Sequence, residues 1–143
     1  MPVKVLLVDD SSTALLMGET VLKQHTPYEV VTARDGEEAV RKAVAENPDL
    51  ILMDVVMPKM DGFAACREIR RRQGMKEVPI IMVTSRGEPA SVETGFQSGC
   101  SAYLTKPISP TELLEVVRTL VGATETEAEL HVSPRMNEGT NIA

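Results

Sequence analysis

No apolar stretch of this chain approaches the roughly 18 residues that a membrane-spanning helix needs, so no span is expected. The N-terminus, Met1-Pro2-Val3-Lys4, runs into a strand-like segment without the long apolar core of a signal peptide, and the expected location is the cytoplasm. Cysteine is scarce. Cys66 and Cys100 stand far apart, without CxxC spacing and without a nearby histidine, which argues against a zinc site or a redox pair. Two buried thiols acting as small apolar groups are expected instead. Positive charge is also short: lysine and arginine number 15 against 21 acids, giving a net charge of −6 and a pI near 5.0. That balance opposes long-range attraction to nucleic acid or to an anionic membrane, and neither is expected as a partner. The run Arg70-Arg71-Arg72, with Arg67 nearby, reads as the solvated end of a helix, where cations suit the negative end of the dipole. There are no internal repeats.

What the chain does have is a recurring pattern. Hydrophobic residues make up 43% of its 143 positions, enough to fill one core. They fall in short continuous runs, each ending in a polar group. Val5-Leu6-Leu7-Val8 leads into Asp9-Asp10, and Leu50-Ile51-Leu52-Met53 leads into Asp54. Pro79-Ile80-Ile81-Met82-Val83 leads into Thr84-Ser85, and Ala102-Tyr103-Leu104-Thr105 into Lys106-Pro107. Strands of a parallel sheet covered on both faces look like this. A shorter strand is expected over 28–33, before a turn at Arg34-Asp35-Gly36.

Helical patterns separate the runs. The first follows Asp10 to His25, capped by Ser11 or Ser12, with Ala14, Met17 and Val21 on one face and Leu15 and Leu22 beside them. The second, over 37–46, turns Ala39, Val40, Ala43 and Val44 inward and stops at Asn47-Pro48-Asp49. The third starts near Gly62 with Phe63, Cys66 and Ile69 on one side. A fourth, between Glu88 and Gly99, is weak: Val92 and Phe96 alone are clearly spaced, and Gly95 interrupts it at about 1 kcal/mol relative to alanine. Motion is expected in such an element. The last, over 110–121, starts with proline and keeps Leu113, Val117, Leu120 and Val121 in register. The chain therefore reads βαβα throughout, an α/β domain over 1–122. Residues 123–143 turn polar and acidic, with Glu125, Glu127, Glu129 and Glu138, and read as a flexible tail.

In open α/β sheets the ligand lies beyond the carboxyl ends of the strands, where strand order reverses. Asp9, Asp10, Asp54, Thr84 and Lys106 would converge there. Three neighbouring carboxylates repel and push one pKa upward unless a cation joins them. All the ligands are oxygens, so Mg2+ fits better than Zn2+, and an open coordination position points to phosphoryl chemistry. Aspartate is a known nucleophile toward phosphorus, Lys106 would neutralise charge, and Thr84 could donate to a new phosphate. Each residue alone has a plainer reading: Asp9 or Asp10 as a helix cap, Asp54 as a strand-end acid, Thr84 as a core-edge hydroxyl, Lys106 as a solvated lysine in an extended X-Pro step. Their joint occurrence, each at the end of its own strand, carries the inference.

The segments Leu7-Val8-Asp9-Asp10-Ser11, Leu52-Met53-Asp54-Val55-Val56-Met57-Pro58, Met60-Asp61-Gly62, Val83-Thr84 and Tyr103-Leu104-Thr105-Lys106-Pro107 closely resemble the receiver domain of two-component response regulators. The likeness spans residues 3 to 121. It implies a flavodoxin-like, CheY-like doubly wound sheet of five parallel strands in the order 2-1-3-4-5 with five flanking helices. It further implies that a histidine kinase phosphorylates Asp54, that Asp10 and Asp54 bind Mg2+ directly with the Val56 backbone carbonyl, and that Asp9 acts through water. Lys106 would pair with the phosphoryl group, and Thr84 and Tyr103 would switch the surface around the fourth helix, the fifth strand and the fifth helix. Departures are few: Ser85 stands where the family usually has alanine or glycine, and Val56 and Arg86 occupy flanking positions that in the family tend to influence phosphoryl lifetime.

The expected role is a stand-alone switch, not an enzyme in the ordinary sense, whose output is protein binding in chemotaxis, motility or a relay. It is expected to be a monomer, with dimerisation on activation left open. The alternative is a receiver-like binding module that works without phosphorylation, which the full set of chemical residues argues against. A haloacid-dehalogenase-type phosphatase would need Asp-x-Asp, and Val56 stands two residues after Asp54. His25 and His131 read as solvated side chains rather than relay histidines.

Overall fold

Each apolar run becomes a strand of one sheet. The computed structural model describes residues 2–126, with side chains as far as Gly122. The strands are β1 (Lys4–Val8), β2 (Glu29–Ala33), β3 (Leu50–Met53), β4 (Ile80–Thr84) and β5 (Ala102–Thr105). The helices are α1 (Ser12–His25), α2 (Gly36–Glu46), α3 (Gly62–Arg71), α4 (Pro89–Ser98) and α5 (Pro110–Thr126). All strand pairs are parallel, in the order β2-β1-β3-β4-β5, the flavodoxin-like arrangement.

Successive residues of a strand point to opposite faces, so each run feeds two cores. Leu6, Val8, Ile51, Met53, Ile80 and Met82 join Ala39, Ala43, Ala65, Cys66 and Ile69 on the side of α2 and α3. Val5, Leu7, Leu50, Leu52 and Ile81 join Leu15, Leu22, Leu113, Val117 and Val121 on the side of α1 and α5. A run without polar interruption is therefore the signature of two-sided burial.

Capping follows the sequence. Ser11 caps α1, its hydroxyl accepting from the Ala14 N–H, and Asp35 and Asp61 cap α2 and α3 in the same way. Asn47 ends α2 in the left-handed region at φ 49°, just before Pro48.

Several helix-face expectations change. Met17, expected inward, is exposed, because Leu15 and Leu22 take the core side of α1. Val44 is exposed as well; α2 closes on the sheet through the smaller Ala39 and Ala43. Phe96 is half-exposed, and α4 buries only Gly95 and Ser98. It thus lacks the roughly 2 kcal/mol that each buried large side chain contributes to its neighbours. α5 runs on to Thr126, past Val121 and into the region expected to be tail. The rest of that tail, with His131, lies outside the described residues. No described helix is long and apolar enough to cross a membrane.

Arg70 is not a solvated helix end. Its Nε and Nη2 donate to the Gly99 carbonyl at 2.9 and 2.7 Å, and Nη1 donates to the carbonyls of Met75 and Val78 at 3.0 and 2.5 Å. Arg67 adds a bond to Ser98 Oγ at 3.1 Å. Two guanidinium groups of α3 thus hold the C-terminal end of α4, where the carbonyls of a helix lack internal partners. α4 is fastened to the body at that end by hydrogen bonds rather than by apolar burial.

Cys66 is fully buried and Cys100 nearly so. Burial pushes their thiols up, to about 11 and about 12 from an ordinary value of 9.0. The native protein is expected to resist alkylation at pH 8 and to react at once in urea. A folded pKa above the unfolded one contributes stability that is complete below about pH 9 and lost as pH rises through 11 to 12. A urea midpoint that falls across that window, with little change between pH 7 and 8, is the expected result.

Candidate functional site

Strand register decides which residues meet. Val8 lies opposite Ala33 on β2 and Met53 on β3, so Asp9 and Asp54 leave adjacent strands at one level. The ladder continues past the strands: the Asp54 N–H donates to the Val8 carbonyl at 3.0 Å and the Asp9 N–H to the Ala33 carbonyl at 3.1 Å. On the other side Thr84 pairs with Thr105, and the Lys106 N–H donates to the Thr84 carbonyl at 2.8 Å. The carboxyl ends of four strands thereby present Asp9, Asp54, Thr84 and Lys106 to one mouth, and Asp10 follows at its rim.

Asp9 and Asp54 are buried, at 6% and 9% exposure, whereas Asp10 is exposed. One carboxylate oxygen from each of the three lies within 4.8 Å of the others. Lys106 Nζ donates to Asp9 Oδ2 at 3.0 Å and lies 3.5 Å from Asp54 Oδ2. Partial burial opposes the lysine's charge, but its bond to Asp9 and the attraction of Asp54 outweigh this and hold its pKa above the usual value. The other oxygen of Asp54, Oδ1, accepts from the Val55 N–H at 2.7 Å and the Val56 N–H at 3.4 Å. Asp9 Oδ1 accepts from the Ser11 N–H at 3.0 Å. The backbone thus fixes one oxygen of each buried acid, and the other faces the lysine.

The donor set suits a hard divalent cation. Three carboxylates against one ammonium leave two negative charges uncompensated, and every side-chain ligand is oxygen. The cavity beside Asp9, Asp54 and Lys106 measures about 80 Å³. That volume, lined mostly by apolar side chains such as Leu7, Leu52, Val83 and Leu113, falls well short of the hundreds of Å³ that an organic cofactor fills.

Thr84 is fully buried, and its hydroxyl accepts from the Arg86 N–H at 3.3 Å. The Tyr103 hydroxyl donates to the carbonyl of the same residue, Arg86. The two residues expected to form a switch are therefore tied to one loop position, Thr84 to its N–H and Tyr103 to its carbonyl. Val56 and Arg86 stand exposed at the rim, as does Ser85.

The sequence reading assigned no role at the site to Arg34 or Gly62. Arg34 Nη2 donates to the Asp10 carbonyl at 3.1 Å and so braces the β1–α1 loop that carries the exposed acid. Strand order would have found it, since β2 lies next to β1 and Arg34 directly follows β2. Gly62 lies against the Asp54 carbonyl so closely that a Cβ would sit 2.2 Å from that oxygen. Its N–H donates to the Val55 carbonyl at 2.8 Å, folding the β3–α3 loop back beneath the acid.

The structure is thus an α/β domain with strand order β2-β1-β3-β4-β5 and an acidic, lysine-bearing mouth at the carboxyl ends of its strands. The family model described as the response regulator receiver domain matches residues 5–118, and the chain belongs to that family. Among curated relatives it is 43% identical over 122 residues to a probable transcriptional regulator, ycf27, of Cyanophora paradoxa, covering 85% of this chain and 49% of that protein. It is 38% identical over 125 residues to the alkaline phosphatase synthesis transcriptional regulatory protein PhoP of Bacillus subtilis, covering 87% and 51%. The chain spans about half the length of these relatives. Among solved structures, chemotaxis protein CheY4 of Vibrio cholerae matches with a TM-score of 0.79 at 37% identity, covering 84% of this chain and 99% of that one. The receiver domain of sensor histidine kinase PA1611 from Pseudomonas aeruginosa, which has a magnesium ion coordinated in its active-site cleft, matches with a TM-score of 0.79 at 34% identity over 85% and 99%. The curated relatives are named transcriptional regulators and one structural relative a chemotaxis protein, so the expected chemotaxis or motility output is not singled out.

Proposed function

We propose that this receiver domain takes a phosphoryl group from a histidine kinase onto Asp54, with Mg2+, and signals by changing a protein-binding surface around α4, β5 and α5. The observation that carries this reading is the meeting of Asp9, Asp10, Asp54 and Lys106 at one mouth. Asp54 Oδ2 is the attacking oxygen, because backbone N–H groups hold Oδ1. The new O–P bond forms as the bond between phosphorus and the donor's leaving atom breaks. Lys106 moves its charge from the two acids toward the phosphoryl oxygens, and the Thr84 hydroxyl, its oxygen still accepting from the Arg86 N–H, donates its own proton to one of them. Asp10, Asp54 and the Val56 carbonyl would hold the metal directly and Asp9 through water; bound there, it neutralises charge on the transferring group.

A receiver of this kind is a switch rather than a catalyst acting on other substrates. Moving it from 1:99 to 99:1 requires about 5.5 kcal/mol of differential stabilisation, within reach of a dianion bonded to a cation, a lysine and a hydroxyl. Its output partner is a protein surface, belonging either to another protein or to a neighbouring domain such as those of the longer relatives; the chain's net charge of −6 disfavours direct contact with nucleic acid. The domain extends to the end of α5, with the tail following.

The test is intact mass after incubation with acetyl phosphate, with and without Mg2+. A gain of one phosphoryl group that requires Mg2+ is expected. No gain from acetyl phosphate, and none from a panel of phosphorylated histidine kinases, with the protein folded and binding Mg2+, would overturn the phosphorylation reading in favour of a binding module.

A further inference from the structure

Gly95 sits in the middle of α4, where glycine weakens a helix. Its backbone does not require glycine: among the described residues the positive-φ glycines are Gly74 and Gly99. Packing does. A Cβ at 95 would lie 2.7 Å from Cδ2 and 2.9 Å from Cε2 of Tyr103, closer than carbon atoms approach, while its distance to Cys100 Sγ, 3.4 Å, is ordinary contact. The tyrosine ring lies in the notch left by the missing methyl group, and its hydroxyl reaches on to the Arg86 carbonyl. Arg86 in turn donates its N–H to Thr84 Oγ1. One turn further on, the C-terminal end of α4 is held by Arg70 and Arg67.

We infer that Gly95 is a positioning residue for the phosphoryl site: its notch holds the Tyr103 ring where the hydroxyl ties down Arg86, and through Arg86 the loop that orients Thr84. The inference rests on the switch reading above and names the residue of α4 through which that switch reaches the helix. A methyl group at 95 expels the ring, frees the Arg86 carbonyl and loosens the loop whose Arg86 N–H orients the Thr84 hydroxyl toward a phosphoryl group. Because Gly95 acts only through the ring, its replacement has this effect only while Tyr103 is present.

The experiment compares Gly95→Ala, Tyr103→Ala and the double variant with the parent chain. The chain has two tyrosines, Tyr28 and Tyr103, so ring NMR resonances report the pose directly. In Gly95→Ala, without any phosphoryl mimic, the Tyr103 ring signals shift and those of Tyr28 stay. Beryllofluoride with Mg2+ binds about fivefold more weakly to Gly95→Ala than to the parent. In the Tyr103→Ala background the same alanine has no effect on binding and raises the urea midpoint, since only its helix propensity remains. Unchanged Tyr103 signals, or an equal effect of the alanine in both backgrounds, would overturn the inference. Displaced Tyr103 signals with unaltered beryllofluoride binding would keep the notch and overturn its link to the site. A parent chain that binds no beryllofluoride at all would instead sink the phosphorylation reading, with the ring signals still deciding the notch.

Discussion

Asp54→Asn is expected to take up no phosphoryl group from acetyl phosphate and Mg2+ while unfolding in urea within about 1 kcal/mol of the parent. The two halves of this prediction have separate causes. An amide oxygen still accepts from the Val55 and Val56 N–H groups, so the loop geometry survives. The Lys106–Asp54 pair, at 3.5 Å, is the longer of the lysine's two ion pairs, and with the lysine partly exposed its loss costs about 0.5–1 kcal/mol. Against this, removing one of three crowded carboxylates relieves repulsion. Chemistry has no such compensation, because an amide is not a nucleophile toward phosphorus. Intact mass and urea unfolding measured on the same preparation check both halves. Uptake retained by a folded Asp54→Asn would move the acceptor elsewhere and sink the assignment.

The sheet was legible because two-sided burial leaves an unambiguous trace. Leu50-Ile51-Leu52-Met53 has no polar residue because Leu50 and Leu52 face one core and Ile51 and Met53 the other. The polar group closing each run was legible for the same reason, since burial ends where the strand does. Helix faces were read less well. In α1 and α2 apolar residues outnumber the places available, and the sequence does not say that Leu15 displaces Met17 or that Ala43 displaces Val44.

The α4 region was hardest because its attachments are not apolar. Arg70 looks like any cation at a helix end until Gly99, 29 residues on, is brought to it. Gly95 looks like a flaw until the Tyr103 ring is placed against it. Of the site, the acids, the lysine and the threonine were visible as strand-end residues, whereas Arg34 and Gly62 act through backbone carbonyls, which no side-chain pattern reveals.

Gly62→Ala is expected to cost about 3 kcal/mol, at the upper end of what overpacking does. The reason is the hardness of what the new methyl group meets. Its Cβ would stand 2.2 Å from the Asp54 carbonyl oxygen and 2.9 Å from Val55 Cα, both backbone atoms of a strand end held on each side. No rotamer change relieves that contact; either α3 withdraws from the sheet or the β3–α3 loop opens. Gly18 is the contrast, since a Cβ there meets the flexible Leu7 side chain at 3.0 Å, and a Cβ added at Gly122 would have no atom of the described residues within 4 Å. Gly122→Ala, in α5, is expected to stabilise by up to about 1 kcal/mol from helix propensity. With an m-value of about 1.5 kcal/mol per molar, Gly62→Ala lowers the urea midpoint by about 2 M and Gly122→Ala raises it. The loop that would open also carries Val55 and Val56, whose N–H groups fix Asp54 Oδ1, so phosphoryl uptake should fall in the folded fraction as well. A Gly62→Ala protein with an unchanged midpoint would mean that α3 shifts on the sheet at no cost, and that the close seat beneath Asp54 does not constrain the acid.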